Sequence, residues 1–305
     1  MNGKKKKFIV TGGAGFIGSH LTDALVEQGH EVHVIDNLSL GKREQVHEKA
    51  VFHEVDIRNF DALLPLCEGV DAIFHLAALP RVTPSIADPR TAHDVNSTGT
   101  LNVFVAARDA GVKRIVYSAS SSAYGDQTVL PLREEMEPNP MSPYALQKYT
   151  GELNARLFAK LYGIQAVSLR YFNVYGARMP TTGAYAIVIG IFLDQRKRGE
   201  SMTIVPDGLQ TRDFTHVRDV VRANILAAQA PRPWRGEVMN IGTGKNYTIR
   251  QIADMIGGPT VFIDARIEPK HTRADITRAA DLLGWMPEVS FEDGISELKK
   301  LYGLS

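Results

Sequence analysis

The sequence predicts an α/β fold: a doubly wound parallel sheet with a smaller mixed α/β lobe. Three observations carry that expectation. Short apolar runs alternate with helical patterns through the first half of the chain. The first run passes directly into a glycine-rich segment that opens a helix. The strand runs are apolar nearly end to end, as strands covered on both faces must be.

The first strand is KFIVT, ending at Thr11, and TGGAGFIGSH follows it, with Gly12, Gly13, Gly15 and Gly18 in both GxGxxG and GxxGxxG spacing. A helix over residues 16–28 comes next, closed by Gly29. Such glycines let the backbone turn tightly against a pyrophosphate, and the helix start offers free N–H groups and a positive dipole end. A glycine turn with no ligand is the alternative, and the second strand, EVHVID, weighs against it. It ends in Asp36, eighteen positions past Gly18, where a carboxylate accepts from adenosine ribose hydroxyls in a Rossmann-type sheet. A 2′-phosphate would meet that charge, so NAD is favoured over NADP, with Arg43 as the opposing feature nearby.

VFHEVD, DAIFHLAA, KRIVYSAS and IQAVSLRYF read as the next strands, separated by helices over 60–67, 91–110 and 142–162. Ligands in doubly wound folds sit beyond the carboxyl ends of the strands. Asp56, the segment 75–78, the serines of 118–122 and the segment 171–173 fall there. His75 closes a buried strand and is read as hydrogen-bonded in place rather than as a catalytic base. Past Asn173 the pattern loosens into helices over 184–198, 217–230, 249–256, 277–283 and 291–301, with strands VMNIG and TVFID. The expected division is a dinucleotide-binding domain over 1–172, to which 214–240 returns, and a substrate lobe of 173–213 and 241–305. The cleft between them is the natural substrate site.

Composition bounds the chemistry. With 305 residues, 44% hydrophobic and 23% charged, the chain can bury a large core. A net charge of +1 gives no basis for a nucleic-acid or membrane surface, and the lysine run 4–7 reads as a solvated lead into the first strand. The single cysteine, Cys67, cannot form an internal disulfide and is read as a helix-end core residue. No stretch has the length or flanks of a signal peptide or membrane span, so a reducing cytoplasm is the expectation. No metal is expected.

Tyr144 and Lys148, in SPYALQKY, lie four apart and share a helix face. A neighbouring ammonium favours a phenolate and brings its pKa down from about 10 towards working pH, which makes a proton acceptor. Taken alone, such a pair is an ordinary surface pair. Its company is what singles it out.

TGGAGFIG, Asp36, HLAA, NSTGT from Asn96, SASSSAYG, YALQK, RYFNVYG and TRDFTHVRD, in this order, resemble the extended short-chain dehydrogenase/reductase family, in its nucleotide-sugar epimerase/dehydratase branch. The similarity spans essentially the whole chain. It implies an enzyme with tightly bound NAD. Tyr144 would be the acid/base, Lys148 would hold the nicotinamide ribose and lower the tyrosine pKa, and Ser120 would steady the reacting oxygen. On the cofactor side it implies Gly12, Gly15, Phe16, Ile17 and Gly18 at the pyrophosphate, and Asp36 and Asn37 at the ribose. Asp56 and Ile57 would meet the adenine, and Leu76, Ala77 and Ala78 a close backbone approach. Asn96, Ser118 and Tyr171 would be further cofactor contacts. Ser121 and Ser122 would touch the sugar, although a turn or helix cap is the other reading of the triple serine. Asn173 and Arg212 would meet the diphosphate, an arginine fork being suited to phosphate. The family's second diphosphate arginine lies in an RxGD stretch; here the stretch is ARIEPKHTRAD, and Arg266 is the candidate. Thr272 falls where the group packs a side chain near C2 of the hexose, large in members restricted to UDP-glucose and UDP-galactose.

Dehydratases of this branch carry Asp and Glu after the catalytic Ser or Thr. Here those positions are Ser121 and Ser122, so dehydration is disfavoured and a 4-epimerase is expected, with UDP the expected handle. It would act on the glucose/galactose and N-acetylglucosamine/N-acetylgalactosamine pairs. A UDP-glucuronate decarboxylase or 4-epimerase is the nearest alternative, kept open by Arg81 beside the sugar site. A non-catalytic NAD-binding regulatory protein is the alternative of another class, and the presence of Tyr144 and Lys148 argues against it. The resemblance further implies a homodimer formed through the 91–110 and 142–162 helices.

Overall fold

Seven strands form where the apolar runs are longest, and their side chains alternate between two cores. The computed structural model describes residues 5–80, 82–263 and 271–304. Six of these strands are β1 (Lys7–Thr11), β2 (Glu31–Asp36), β3 (Val51–Glu54), β4 (Ala72–His75), β5 (Arg114–Ser120) and β6 (Gln165–Tyr171). With a seventh, Glu237–Ile241, they make one sheet in the order Glu237–Ile241, β6, β5, β4, β1, β2, β3. Every neighbouring pair is parallel.

Phe8, Val10, Val34, Phe74, Val116 and Val167 face one core, where the helices Phe16–Glu27 and Val217–Gln229 pack through Leu21, Leu25, Val220 and Ala223. Ile9, Ile35, Ile73, Ile115 and Ala166 face the other, against Val103 and Phe104 of Thr100–Asp109 and Ala155 and Phe158 of Pro143–Tyr162. The central strands are therefore covered on both faces and read as apolar runs, whereas β2 alternates at its start and the edge strand β3 stays exposed to half-buried. From β1 the sheet grows to β2 and β3 on one side and to β4 on the other. That reversal opens a crevice at the carboxyl ends of β1 and β4.

A third core, of Ile189, Phe192, Leu193, Met202, Ile252, Ile256, Ile295 and Leu298, lies under the helices Val188–Lys197, Ile249–Ile256 and Phe291–Leu301. Beside it Met202–Ile204 pairs with Thr260–Phe262. Several elements differ from the sequence expectation, three of them in the helices. The helix expected from 184 begins at Val188, because Gly183 turns the chain at φ +76° just before it. The helix expected from 91 begins at Pro89, with the Asp88 side chain accepting from Thr91 N–H, and widens into a π-turn over Asp94–Gly99. A short helix, Val82–Ala87, has no periodic signal of its own.

Candidate active site

The crevice begins at Gly12. Its φ is +72°, and a Cβ there would stand 2.7 Å from the Ala77 backbone nitrogen, so only glycine lets β1 turn this close to the chain leaving β4. The helix that follows has Gly15 at its N-cap and no capping side chain. The amides of Phe16 and Ile17 open the helix with no capping side chain over them, an arrangement that could hold an anion, and Gly18 packs onto the Gly12 carbonyl.

Asp36 closes β2 and is buried. Its Oδ2 accepts from Ala14 N–H at 3.0 Å and its Oδ1 from Leu38 N–H at 2.8 Å. Burial raises its pKa, opposed by those two bonds. A carboxylate has about four accepting sites, so it retains capacity for hydroxyl donors. Asp56 is different. Arg58 donates to it from its backbone N–H (2.8 Å), Nε (3.0 Å) and Nη2 (2.8 Å), and Asn37 Nδ2 adds a fourth bond at 2.8 Å. The Arg58 hydrogen bond leads in holding its pKa down to about 2. Ile57 is buried against Gly99.

Thr11 organises the end of β4. Its Oγ1 accepts from the Leu76 and Ala77 amides, both at 3.2 Å, and meets His75 Nδ1 at 2.8 Å. His75 Nε2 meets Thr100 Oγ1 at 2.9 Å, and burial pushes the imidazole down to about 3. Both ring nitrogens are thus committed, and His75 is neutral and structural. Just past Ala78, Asn96 Oδ1 accepts from Leu79 N–H (2.8 Å) and Asn96 Nδ2 donates to Leu79 O (3.0 Å). Asn96 is buried and splints this segment from the π-turn.

On the other wall, Ser142 caps the helix Pro143–Tyr162, with Pro143 in its first turn. Tyr144 follows in that turn, its backbone N–H donating to Ser85 Oγ at 3.1 Å. Lys148 lies one turn on and is buried, its Nζ donating to Ser118 O at 2.8 Å. Burial brings its pKa down to about 8. Ser120 ends β5 and caps the turn Ser121–Tyr124. Its Oγ accepts from Ser122 N–H at 3.2 Å and Ser122 Oγ–H at 2.8 Å, leaving its own O–H to donate. The cap reading of the triple serine therefore holds for Ser120, while Ser121 stays half-buried beside it. Tyr171 lies opposite Ser120 in the β5–β6 register, its hydroxyl donating to Asn224 Oδ1 at 2.9 Å.

Asn173, Arg212 and Thr272 come together around one residue the sequence reading did not single out. Asn173 Nδ2 donates to Asp213 O at 2.9 Å, Arg212 precedes Asp213 in the chain, and Thr272 Oγ1 accepts from Asp213 N–H at 3.4 Å. The Asp213 carboxylate is fully buried and takes Thr243 N–H (2.8 Å), Thr243 Oγ1–H (2.7 Å), Gly244 N–H (3.0 Å) and Ala274 N–H (3.0 Å). Burial raises its pKa against those bonds. Its place after Arg212 in TRDF was the signal available. Arg81 and Arg266 lie outside the described residues.

The chain matches the NAD dependent epimerase/dehydratase family over residues 8–242. It is 37% identical to the UDP-glucose 4-epimerase of Mycolicibacterium smegmatis, covering 96% of this chain and 97% of that one. Among solved structures it is similar to a UDP-glucose 4-epimerase from Thermotoga maritima with UDP-glucose, at a TM-score of 0.93 and 38% identity, covering 97% of this chain and 98% of that one. It is similar also to a UDP-N-acetylglucosamine 4-epimerase from Methanobrevibacter ruminantium in complex with UDP-N-acetylmuramic acid, at a TM-score of 0.93 and 37% identity, with 98% and 99% covered. UDP-glucuronic acid decarboxylase 1 of Xenopus tropicalis matches at 33% identity, over 96% of this chain and 71% of that one. A match across most of the chain, with relatives aligned nearly end to end, makes this protein a member of the NAD dependent epimerase/dehydratase family, with NAD as its cofactor.

Proposed function

We propose that the protein is a UDP-sugar 4-epimerase acting on UDP-glucose and UDP-galactose and on their N-acetylated counterparts. The observation that supports this reading is the pairing of Tyr144 with Lys148 one turn on in the Pro143–Tyr162 helix, Lys148 bonded to Ser118 O two residues ahead of Ser120. Tyr144 and Lys148 are four apart on one helix, and in the family pattern Ser121 and Ser122 stand where elimination chemistry would need a carboxyl pair.

The donor set suits a dinucleotide. The uncapped helix start takes a pyrophosphate, and Asp36 keeps accepting capacity for two ribose hydroxyls. Bound there, NAD supplies an acceptor for the C4 hydride and later a donor to the opposite face of the sugar. Tyr144 takes the proton of the C4 hydroxyl and returns it; Lys148 holds the nicotinamide ribose and favours the phenolate. Ser120, with its lone pairs engaged by Ser122, donates to the C4 oxygen. Asn173 and Arg212 grip the diphosphate while the 4-keto sugar turns about its phosphate linkage. In this reading 1–172 with 214–240 serve the cofactor and the remaining segments the sugar nucleotide. Asp56 already accepts four bonds, so its part at the adenine is to fix Asn37 and Arg58 there.

We further propose a homodimer. Leu146, Leu153, Leu157 and Leu161 lie exposed along the Pro143–Tyr162 helix at helical spacing, a stripe that a second copy would cover. The function is tested by an NMR time course with a panel of UDP-hexoses, N-acetylated and plain, and UDP-glucuronate. Interconversion of C4 epimers supports it, whereas carbon dioxide released from UDP-glucuronate without epimerisation of the hexoses would replace it with the decarboxylase reading favoured by the Xenopus relative.

A further inference from the structure

Behind the serine turn lies a buried ionic cluster that none of the steps above uses. Glu152 stands two turns beyond Tyr144 on the same helix and is 0% exposed, and Arg170 of β6 is 1% exposed. The pair is bidentate: Arg170 Nε donates to Glu152 Oε1 at 2.8 Å and Nη2 to Oε2 at 2.7 Å. The third nitrogen, Nη1, is buried without a hydrogen-bond partner. The guanidinium carbon lies 4.4 Å from the Tyr124 ring centroid, so the ring face takes the rest of the charge.

Tyr124 closes the turn that Ser120 caps, and its hydroxyl donates to Asn240 Oδ1 at 2.7 Å. Asn240 Nδ2 in turn donates to Leu132 O at 2.8 Å and to Asp275 O at 3.0 Å, the latter three residues past Thr272. One connected set of contacts thus runs from the helix of Tyr144 and Lys148, through β6, to the turn of Ser120 and Ser122, and on to the segment that follows Thr272.

A buried ion pair is weak evidence for stability, because well-packed apolar residues of similar volume do as well or better. What a bidentate fork does supply is direction, since two parallel bonds fix both separation and angle. We propose that Glu152 and Arg170 are positioning residues, whose bidentate contact and stack on Tyr124 set the helix of Tyr144 and Lys148 in register with the turn of Ser120 and Ser122. The proposal rests on the epimerase reading for the chemistry it serves.

Two variants test it: Glu152→Gln, nearly isosteric, and the apolar pair Glu152→Leu with Arg170→Met. Thermal midpoint, kcat and KM are measured, each kcat at a temperature where circular dichroism shows the variant folded. Wild type and Tyr144→Phe run in the same assay, so turnover by the first and its loss in the second judge the epimerase reading separately. The expected result for Glu152→Gln is a lower midpoint and a kcat reduced about a hundredfold, the scale of a misplacement of roughly 1 Å, with KM little changed because the diphosphate grip lies elsewhere. The apolar pair should regain the midpoint without regaining kcat. Wild-type kcat in either folded variant, or recovery of kcat in step with the midpoint, would overturn the proposal and leave the pair as ordinary packing.

Discussion

Gly151 lies against the Tyr117 ring so closely that a Cβ at 151 would overlap the phenol. The Tyr117 hydroxyl donates to Lys148 O at 3.2 Å, and its ring centroid is 5.2 Å from Lys148 Nζ. The helix of Tyr144 and Lys148 therefore rests on a buried tyrosine at Gly151, three residues past the lysine. Helix propensity favours Gly151→Ala by about 1 kcal/mol, whereas forcing a methyl into a packed core costs about 1–3 kcal/mol. The second effect should win, giving a net loss of stability by urea unfolding together with a lower kcat as Lys148 moves. A variant as stable as wild type would show that the helix shifts freely.

Tyr144→Phe removes the proposed proton carrier and keeps the ring and Lys148. Epimerisation should fall by at least about a hundredfold, in line with general acid/base magnitudes, while NAD stays bound. Turnover near wild type would mean that another group carries the proton.

Much of this arrangement is legible in the sequence because it is local. β1, Gly12 and the following helix are contiguous, Tyr144 and Lys148 are one turn apart, and apolar runs such as IQAVSLRYF need only be buried on both faces to become β6. What escaped notice joins residues distant in the chain. Asn96 splints Leu79 from 17 residues away, Glu152 meets Arg170 from 18, and Asp213 takes Ala274 N–H from 61. Charged residues such as Glu152, Arg170 and Asp213 look like surface residues until the fold supplies partners.

Asp36→Ala should relax the preference for NAD towards NADP by removing the charge a 2′-phosphate would meet. The carboxylate also accepts from the Ala14 and Leu38 amides, so the substitution will cost some stability. The ratio of the two dissociation constants is the measurement, because a general loss cancels in it. An unchanged ratio would mean that Asp36 does not face the ribose.

Burial brings the Lys148 pKa down to about 8 in the folded protein, against about 10.4 for an unperturbed lysine. Between those values the unfolded chain binds more protons at this site, so its contribution to stability rises with pH and is lost as pH falls through 8. Cys67, pushed up by burial from 9.0 to about 12, works in the opposite direction over a window that overlaps the upper part of this one. The comparison is therefore wild type against Lys148→Met in the NAD-free protein. Relieved of a buried ammonium, the variant should hold its greatest advantage at about pH 7 and lose it by about pH 10, read from urea unfolding. An advantage independent of pH would mean that Lys148 titrates as it does in water.

Thr272 is where sugar selectivity should be read. Its backbone N–H donates to Thr211 O at 3.1 Å and its Oγ1 accepts from Asp213 N–H at 3.4 Å, which seats it beside Arg212, the residue proposed to grip the diphosphate. A half-buried threonine there is small, and an N-acetyl group at C2 would find room that a tyrosine fills. A roomy pocket cannot strongly reject a smaller substrate, so the plain sugars should be turned over as well; discrimination of this kind is worth only about 1–3 kcal/mol for each small group. Thr272→Tyr should therefore lower kcat/KM selectively for UDP-N-acetylglucosamine and UDP-N-acetylgalactosamine, by about ten- to two-hundredfold, and leave the plain pair nearly intact. Equal loss on both pairs would place Thr272 in the packing around Asp213 and not at the sugar.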